Sequence, residues 1–374
     1  GARGGGGGPP TGGGARRGGA NPPAAVEESH SLVLENLLVR YEFDARGELV
    51  RAYDKEADCE TLRPGENGNV FNLYVDRPNN FEAWDVDFFY EQEQRTGAEP
   101  ISHSKCVTGS VESTLSFEWK VGNASFIRQT VRLAANSKRL DFETEVDWHE
   151  SRRMLRVNFP VAVCAGEAAF EIQYGYVKRP THSNTSWDMA KFEVVGHRYV
   201  DFSAGKYGVA MLTDCKYGYR TNEGNLDLCL LRSPKYPDWN ADQGRQVFTY
   251  AYLPHVGALA ESNVWSEAAQ LNRAPLQFAG RRLTAEVPFS VLGGSVSLEV
   301  VKKAEKSDDL VIRLVETAGS ASRTRLCTTL KEARLIETNL IEWEELGSFE
   351  FRNGEVELDF RPFDIRTFKV RRKR

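Results

Sequence analysis

From Leu32 onward, apolar residues recur at every second position, not at every third or fourth, and that period dictates what the chain can build. Val39-Arg40-Tyr41-Glu42-Phe43 alternates, turns through Asp44 to Gly47, and alternates again from Glu48 to Tyr53. The pattern predicts a hairpin with a glycine in its loop. Glu82 to Tyr90 is expected as a strand with Trp84, Val86, Phe88 and Tyr90 on one face and Asp85 and Asp87 on the other. Ser113 to Val121, Ser125 to Leu133 and Leu140 to Trp148 follow in meander order, separated by Gly122-Asn123 and Asn136-Ser137. Leu155–Val163, Phe170–Tyr176, Phe192–Val195, Gly208–Asp214, Leu226–Arg232 and Val247–Leu253 continue the series. Helix signals reduce to one short amphipathic stretch, Ser266 to Leu271. Short strands at this spacing predict an all-β chain: a large antiparallel β-sandwich followed by a smaller C-terminal β-sandwich.

The strand pattern lapses between residues 256 and 286, where Ala and Pro rise, and the expected division is 28–262 for the large sandwich and 263–374 for the small one. In the small one, Ser290–Lys303, Leu310–Glu316, Ser322–Thr329, Ala333–Glu337 and Ser348–Phe368 read as its strands. Eleven of the first twenty residues are Gly, and Pro9, Pro10, Pro22 and Pro23 extend that run. Such a segment has too little apolar surface to offset its ordering entropy, so residues 1–27 are expected to be disordered. The chain starts at Gly1 without an initiator Met, and a longer parent chain is expected.

Composition is that of an ordinary globular protein, 41% hydrophobic and 27% charged, and a net charge of −5 supplies no field for nucleic acid or an anionic membrane. The basic end Arg371–Arg374 reads as a solvated tail. Cys59, Cys106, Cys164, Cys215, Cys229 and Cys327 lie far apart without a C-x-x-C pair, arguing against a zinc knuckle and a disulfide framework. No apolar run approaches the roughly eighteen residues of a membrane span, and no signal-peptide core is visible. Asn123-Ala124-Ser125 and Asn184-Thr185-Ser186 are then chance matches to the glycosylation pattern, and a reducing, cytoplasmic setting is expected.

The segment Glu171 to Tyr199 is the richest in chemistry. Tyr174, Tyr176, Trp187 and Tyr199 stand among Lys178, Arg179, His182, Asn184, Asp188 and His197. A buried strand would place aliphatic residues there, because an unpaired buried polar group costs about 1–3 kcal/mol. Flat rings beside fixed donors and acceptors suit a sugar, whose C–H face stacks and whose hydroxyls need polar edges. The same composition also suits a polar, aromatic-rich sheet edge. Asp85 and Asp87, roughly 7 Å apart on a strand face, read as structural or substrate-edge residues, since glycosidase carboxylates flank the bond from opposite sides.

The same segment, with Gln173-Tyr174-Gly175, Lys178 to Val194 and His197-Arg198-Tyr199, resembles the C-terminal β-region of the family 38 glycoside hydrolases, the α-mannosidases, and within them the cytosolic branch. Tyr53–Ala57, Asp76–Asn80, Ala83–Asp87, Arg156–Pro160, Leu212–Gly218, Leu230–Pro234 and Phe248–His255 agree in order, so the likeness runs from Leu32 to His255. It implies retaining hydrolysis of α-mannosides in glycan catabolism by a carboxylate nucleophile and a zinc or cobalt ion. Both would sit on an N-terminal α/β domain carrying a His-x-Asp motif. None of the six His here is followed two residues later by Asp, so no metal or catalytic residue is expected in this chain, and alone it should be inactive.

What the resemblance assigns to this region is completion of the carbohydrate groove and bracing of the catalytic domain. Arg232, Tyr174, Arg179 and His182 are its implied substrate-binding residues, expected together at one solvent-facing edge of the sandwich. The implied partners are an α-mannoside oligosaccharide and the chain's own N-terminal domain, with homo-oligomerisation left open. A stand-alone carbohydrate-binding sandwich and a structural or interaction protein derived from the enzyme are the alternative readings.

Overall fold

The computed structural model describes residues 26–273, 275–276, 279–280 and 288–372. The Gly-rich segment 1–25, where disorder is expected, lies outside the described residues, as do Lys373 and Arg374 of the basic tail. Glu27, placed in the disordered segment by sequence, instead begins a strand, Glu27–Ser29, that pairs with Cys106–Thr108.

The expected all-β architecture is what forms. An eleven-stranded antiparallel sheet has at its centre the meander Glu112–Val121, Ser125–Ala134 and Leu140–Trp148. The long strand Gly244–Val256 joins the meander to Tyr207–Thr213 and Tyr199–Ala204, and the hairpin Glu167–Ile172/Gly175–Pro180 ends the sheet. Against it pack a six-stranded sheet, built around Val70–Val75, Arg153–Pro160 and Asn225–Arg232, and a four-stranded sheet with Val39–Phe43 and Leu49–Asp54. Alternation translates directly into burial: Leu115, Phe117, Trp119 and Val121 face inward, and Trp119 lies opposite Ile127, which lies opposite Val146.

The layers meet through rings. Phe142 stacks on Tyr250 at 5.1 Å and Phe159 on Tyr252 at 5.4 Å, while Phe142 and Phe159 join the two sheets edge-on at 5.5 Å. Buried polar groups in this core close on one another. Gln129 donates to Thr144 Oγ1 and Tyr250 Oη, Tyr250 donates to Asn69, and Asn69 donates back to Gln129 Oε1. The Asp44–Gly47 turn forms as expected: Asp44 Oδ1 accepts from the Arg46 and Glu48 N–H groups. Gly47 has φ +80°, and a Cβ there would lie 2.3 Å from Trp119, so only glycine fits.

The expected helix is present as Val264–Asn272, packing Val264 and Ala268 onto Tyr199, Leu212 and Leu253. Beyond it, a three-stranded and a five-stranded sheet enclose a second core of Phe289, Ile312, Leu314, Leu326, Leu335, Leu358 and Phe368. Two long stretches divide more finely than their alternation suggests. Ser290–Lys303 breaks at Gly293-Gly294, both with positive φ, into Phe289–Leu292 and Val296–Lys303, which lie in different sheets. Ser348–Phe368 becomes parts of three strands that turn at Asn353-Gly354 and at Phe363, again with positive φ.

One expected strand is absent. Glu82–Tyr90 is a loop that turns at Phe81 (φ +53°) and ends in a single 3-10 turn, Phe88–Gln92. It lies over the outer face of the six-stranded sheet. There Tyr90 closes a small cluster with Tyr74 and Met154, and Val86 packs against it.

Candidate functional site

In strand Arg153–Pro160, Leu155, Val157 and Phe159 enter the main core, so Met154, Arg156 and Asn158 project from the opposite face. Two segments cover that face: the loop 76–93 and the stretch 182–195. Arg156 is wholly buried beneath them, ion-paired to Asp227 and, at 2.8 Å, to Glu193. Arg220 bridges Asp227 at 2.9 Å and Glu91 at 3.0 Å, and the Tyr90 hydroxyl donates to Glu193 at 2.6 Å. Burial works against the Arg156 cation, but Asp227 and Glu193 more than compensate and hold it charged. Burial pushes the Glu193 carboxyl above its ordinary range despite the opposing pull of Arg156. A buried carboxyl raised in this way can mark an active site; here every member of the cluster is committed to a partner, and the cluster's work is to fix both covering segments to the sheet.

Arg232 does the same at the sheet's end. Strands Val70–Val75 and Asn225–Arg232 flank Arg153–Pro160 on either side, with Val75 opposite Arg153 and Arg232 opposite Met154. The long guanidinium reaches across to Asp76, just past Val75, in a two-point pair at 2.6 and 2.9 Å, and also donates to the carbonyls of Glu82 and Asp85. Asp76 is only 3% exposed. The expectation that Arg232 faces solvent at a groove is therefore corrected: its charge is spent inside the sandwich, holding the 81–85 loop. Asp87 likewise accepts from the Asn79 N–H.

Nor do the other three expected residues join it. Tyr174 stands at the tip of the hairpin Glu167–Ile172/Gly175–Pro180, with φ +56°, whereas Arg179 and His182 lie at or beyond the other end, on the order of 20 Å away along the strand. Arg179 sits over the Phe170 ring at 4.6 Å and donates to the Val195 carbonyl, and burial lowers its pKa. His182 is exposed, 3.6 Å from Asp188, beside the helical turn Ser186–Met189 that Thr185 caps. A single binding edge made of these four residues is thus replaced by three separate places.

What the covering segments and the neighbouring loop 233–243 present outward is a set of aromatic rings. Phe81, Trp84, Phe88, Tyr236 and Trp239 are each more than 60% exposed, and Trp187 81%. Trp84 lies between Phe81 and Tyr236, 6.4 Å from each, and Phe88 rests 6.4 Å from Phe192. Rings of this size expose on the order of several hundred Å2 together, the scale at which an exposed patch is often functional. The alternation of Trp84, Val86, Phe88 and Tyr90 was the sequence signal for this face, although it points to a strand.

Glu82 joins two of the ring-bearing loops, accepting from Arg152 at 2.7 Å and from the Lys235 N–H at 2.7 Å. Those bonds, Arg152 foremost, hold its carboxyl below the ordinary 4.5. A depressed folded-state pKa contributes stability above the unfolded value, which is lost as pH falls through the folded one. The melting temperature should therefore drop less between about pH 6 and about pH 3 in Glu82→Gln than in the parent; equal drops would remove Glu82 from this role.

Among the described residues no group of three or more His, Cys, Asp and Glu side chains is placed to hold a metal ion. All six cysteines are unpaired, and burial pushes the Cys215 and Cys229 thiols up to about 12, away from thiolate chemistry at neutral pH. No helix among the described residues is long and apolar enough to cross a membrane.

Both β-units match known domains. Residues 34–240 match the glycosyl hydrolases family 38 C-terminal domain, and residues 295–368 match the family 38 C-terminal beta sandwich domain. The chain belongs to glycosyl hydrolase family 38. It is 36% identical over 347 residues to Alpha-mannosidase 2C1 of Homo sapiens, covering 91% of this chain and 33% of that protein. It is 32% identical over 361 residues to Alpha-mannosidase G of Dictyostelium discoideum, covering 92% and 33%. The chain thus spans about a third of the length of the curated relatives it matches. The crystal structure of an alpha-mannosidase from Enterococcus faecalis V583 superimposes with a TM-score of 0.74 at 17% identity, over 92% of this chain and 43% of that one, and shares the fold.

Proposed function

We propose that this chain is the β-rich C-terminal part of a cytoplasmic α-mannosidase that cleaves α-mannosides with retention in glycan catabolism. In this reading it braces the catalytic domain and completes its carbohydrate groove. The observation that carries the reading is the aromatic face over the six-stranded sheet, taken with relatives that extend for about two thirds of their length beyond the matched part. The catalytic domain docks on Phe81, Trp84, Phe88, Tyr236 and Trp239, and Arg232 serves it indirectly by holding the 81–85 loop. His182, exposed beside Asp188 on the covering stretch 182–195, is the member of the expected substrate set we assign to the groove. The metal and the nucleophile belong to the catalytic domain.

Assaying an aryl α-mannoside with the complete protein and with this chain alone tests the proposal. The complete protein should turn over with retention and the chain alone should not. Trp84→Asp combined with Trp239→Asp should abolish turnover in the complete protein while leaving the melting temperature of the isolated chain unchanged. Turnover by the isolated chain, or full activity in the double variant, would overturn it.

A further inference from the structure

Tyr174, displaced from the expected groove, lines a cavity of about 510 Å3 on another part of the molecule. Four stretches wall it: the hairpin tip Glu171–Tyr174, His197-Arg198 with Tyr217, the helix end Asn272-Arg273, and Glu299. Glu299 belongs to strand Val296–Lys303 of the small unit, so the cavity exists only where the two β-units meet. That junction is itself packed: Tyr176 donates to the Ala318 carbonyl at 3.2 Å and meets the Phe363 ring at 5.4 Å.

Charge inside the cavity cancels in pairs. Arg198 is held by Glu171, through its side chain at 2.8 Å and its backbone N–H at 2.7 Å, and Arg273 pairs with Glu299, whose side chain is 7% exposed. Each cation thus has its charge balanced by a neighbouring carboxylate, although the Arg273 side chain remains 53% exposed. The groups left over carry no fixed charge. The Tyr174 and Tyr217 hydroxyls, the Gln173 amide and the His197 ring nitrogens have no hydrogen-bond partner among the described residues. Both tyrosine rings are nearly half exposed, and Tyr217 is set edge-on against His197 at 5.3 Å.

Uncommitted hydroxyl, amide and imidazole groups around two accessible rings, with no net charge, match an uncharged polyol that has an apolar face. We propose that this cavity binds a neutral saccharide of one or two units, its ring stacked on Tyr174 or Tyr217 and its hydroxyls bonded to Gln173 and His197. The choice of mannosides as probes rests on the mannosidase reading, and because binding is measured without turnover the two can fail separately.

The test is a ligand-observed NMR titration of this chain with mannobiose, mannose and mannose 6-phosphate. Saturable millimolar binding of mannobiose is expected, with mannose 6-phosphate no tighter than mannose. Tyr174→Gly removes the ring at a backbone angle that glycine adopts freely, so the hairpin should persist; it and Tyr217→Ala should each weaken binding roughly fivefold or more. Trp343→Ala, an exposed ring of the small unit outside the cavity, should change nothing. No saturation up to roughly 20 mM, tighter binding of the phosphorylated sugar, or binding lost in Trp343→Ala but kept in both tyrosine variants would overturn the assignment.

Discussion

Arg156→Ala is expected to lower the unfolding free energy by about 4 kcal/mol, because removing one member of a buried ionic cluster leaves its partners charged and unpaired. Asp227 is wholly buried and keeps only Arg220, and Glu193 keeps only the Tyr90 hydroxyl. The loss should appear as a lower midpoint in chemical denaturation at neutral pH, accompanied by faster proteolysis within 76–93 and 182–195, the segments the cluster ties down. A change below about 1 kcal/mol would mean that the cluster is near break-even, as some buried ion pairs are.

Arg232→Ala should cost about 3 kcal/mol by the same logic, since Asp76 would stay buried with no counter-charge. Arg232→Lys should recover only part of this: an ammonium cannot reproduce the two-point pair while also serving the Glu82 and Asp85 carbonyls. Denaturation of the isolated chain separates this role from a groove role. A residue that only touched sugar would leave the midpoint unchanged and alter KM in the complete enzyme.

The meander 112–148 was legible because its strands have one face on the core and one in water, so letters and burial carry the same period. The loop 82–90 defeated that logic for a physical reason. Its alternating rings do not share one environment: Tyr90 is buried while Trp84 and Phe88 are exposed, so spacing alone could not say where each ring goes. The breaks at Gly293-Gly294 and Asn353-Gly354 were visible as turn residues but lay within long β-prone runs. The candidate site suffered most. Arg232 shows in sequence as a charge at a strand end, but its partner Asp76 is 156 positions away, and only the shared neighbour strand brings them together. Tyr174 shows in sequence only as one ring of an aromatic-rich segment; its position beside Glu299 depends on how the second unit seats against the first, which no local pattern records.

The sheets end in ways that bear on how anything can attach to them. The short strand Glu27–Ser29 carries two carboxylates along one margin of the eleven-stranded sheet, and Pro180 closes the last strand at the opposite margin. The six-stranded sheet tapers at both sides to strands of two residues, Val194–Val195 and Thr96–Gly97. Charged, proline-bearing or very short margins are poor templates for another chain's backbone. Growth by strand exchange, the usual hazard of a protein made almost wholly of β-structure, is thereby suppressed at these four margins. Neighbours are left to recognise side chains, a mode in which a single ring substitution can tune affinity without touching the hydrogen-bonded lattice beneath.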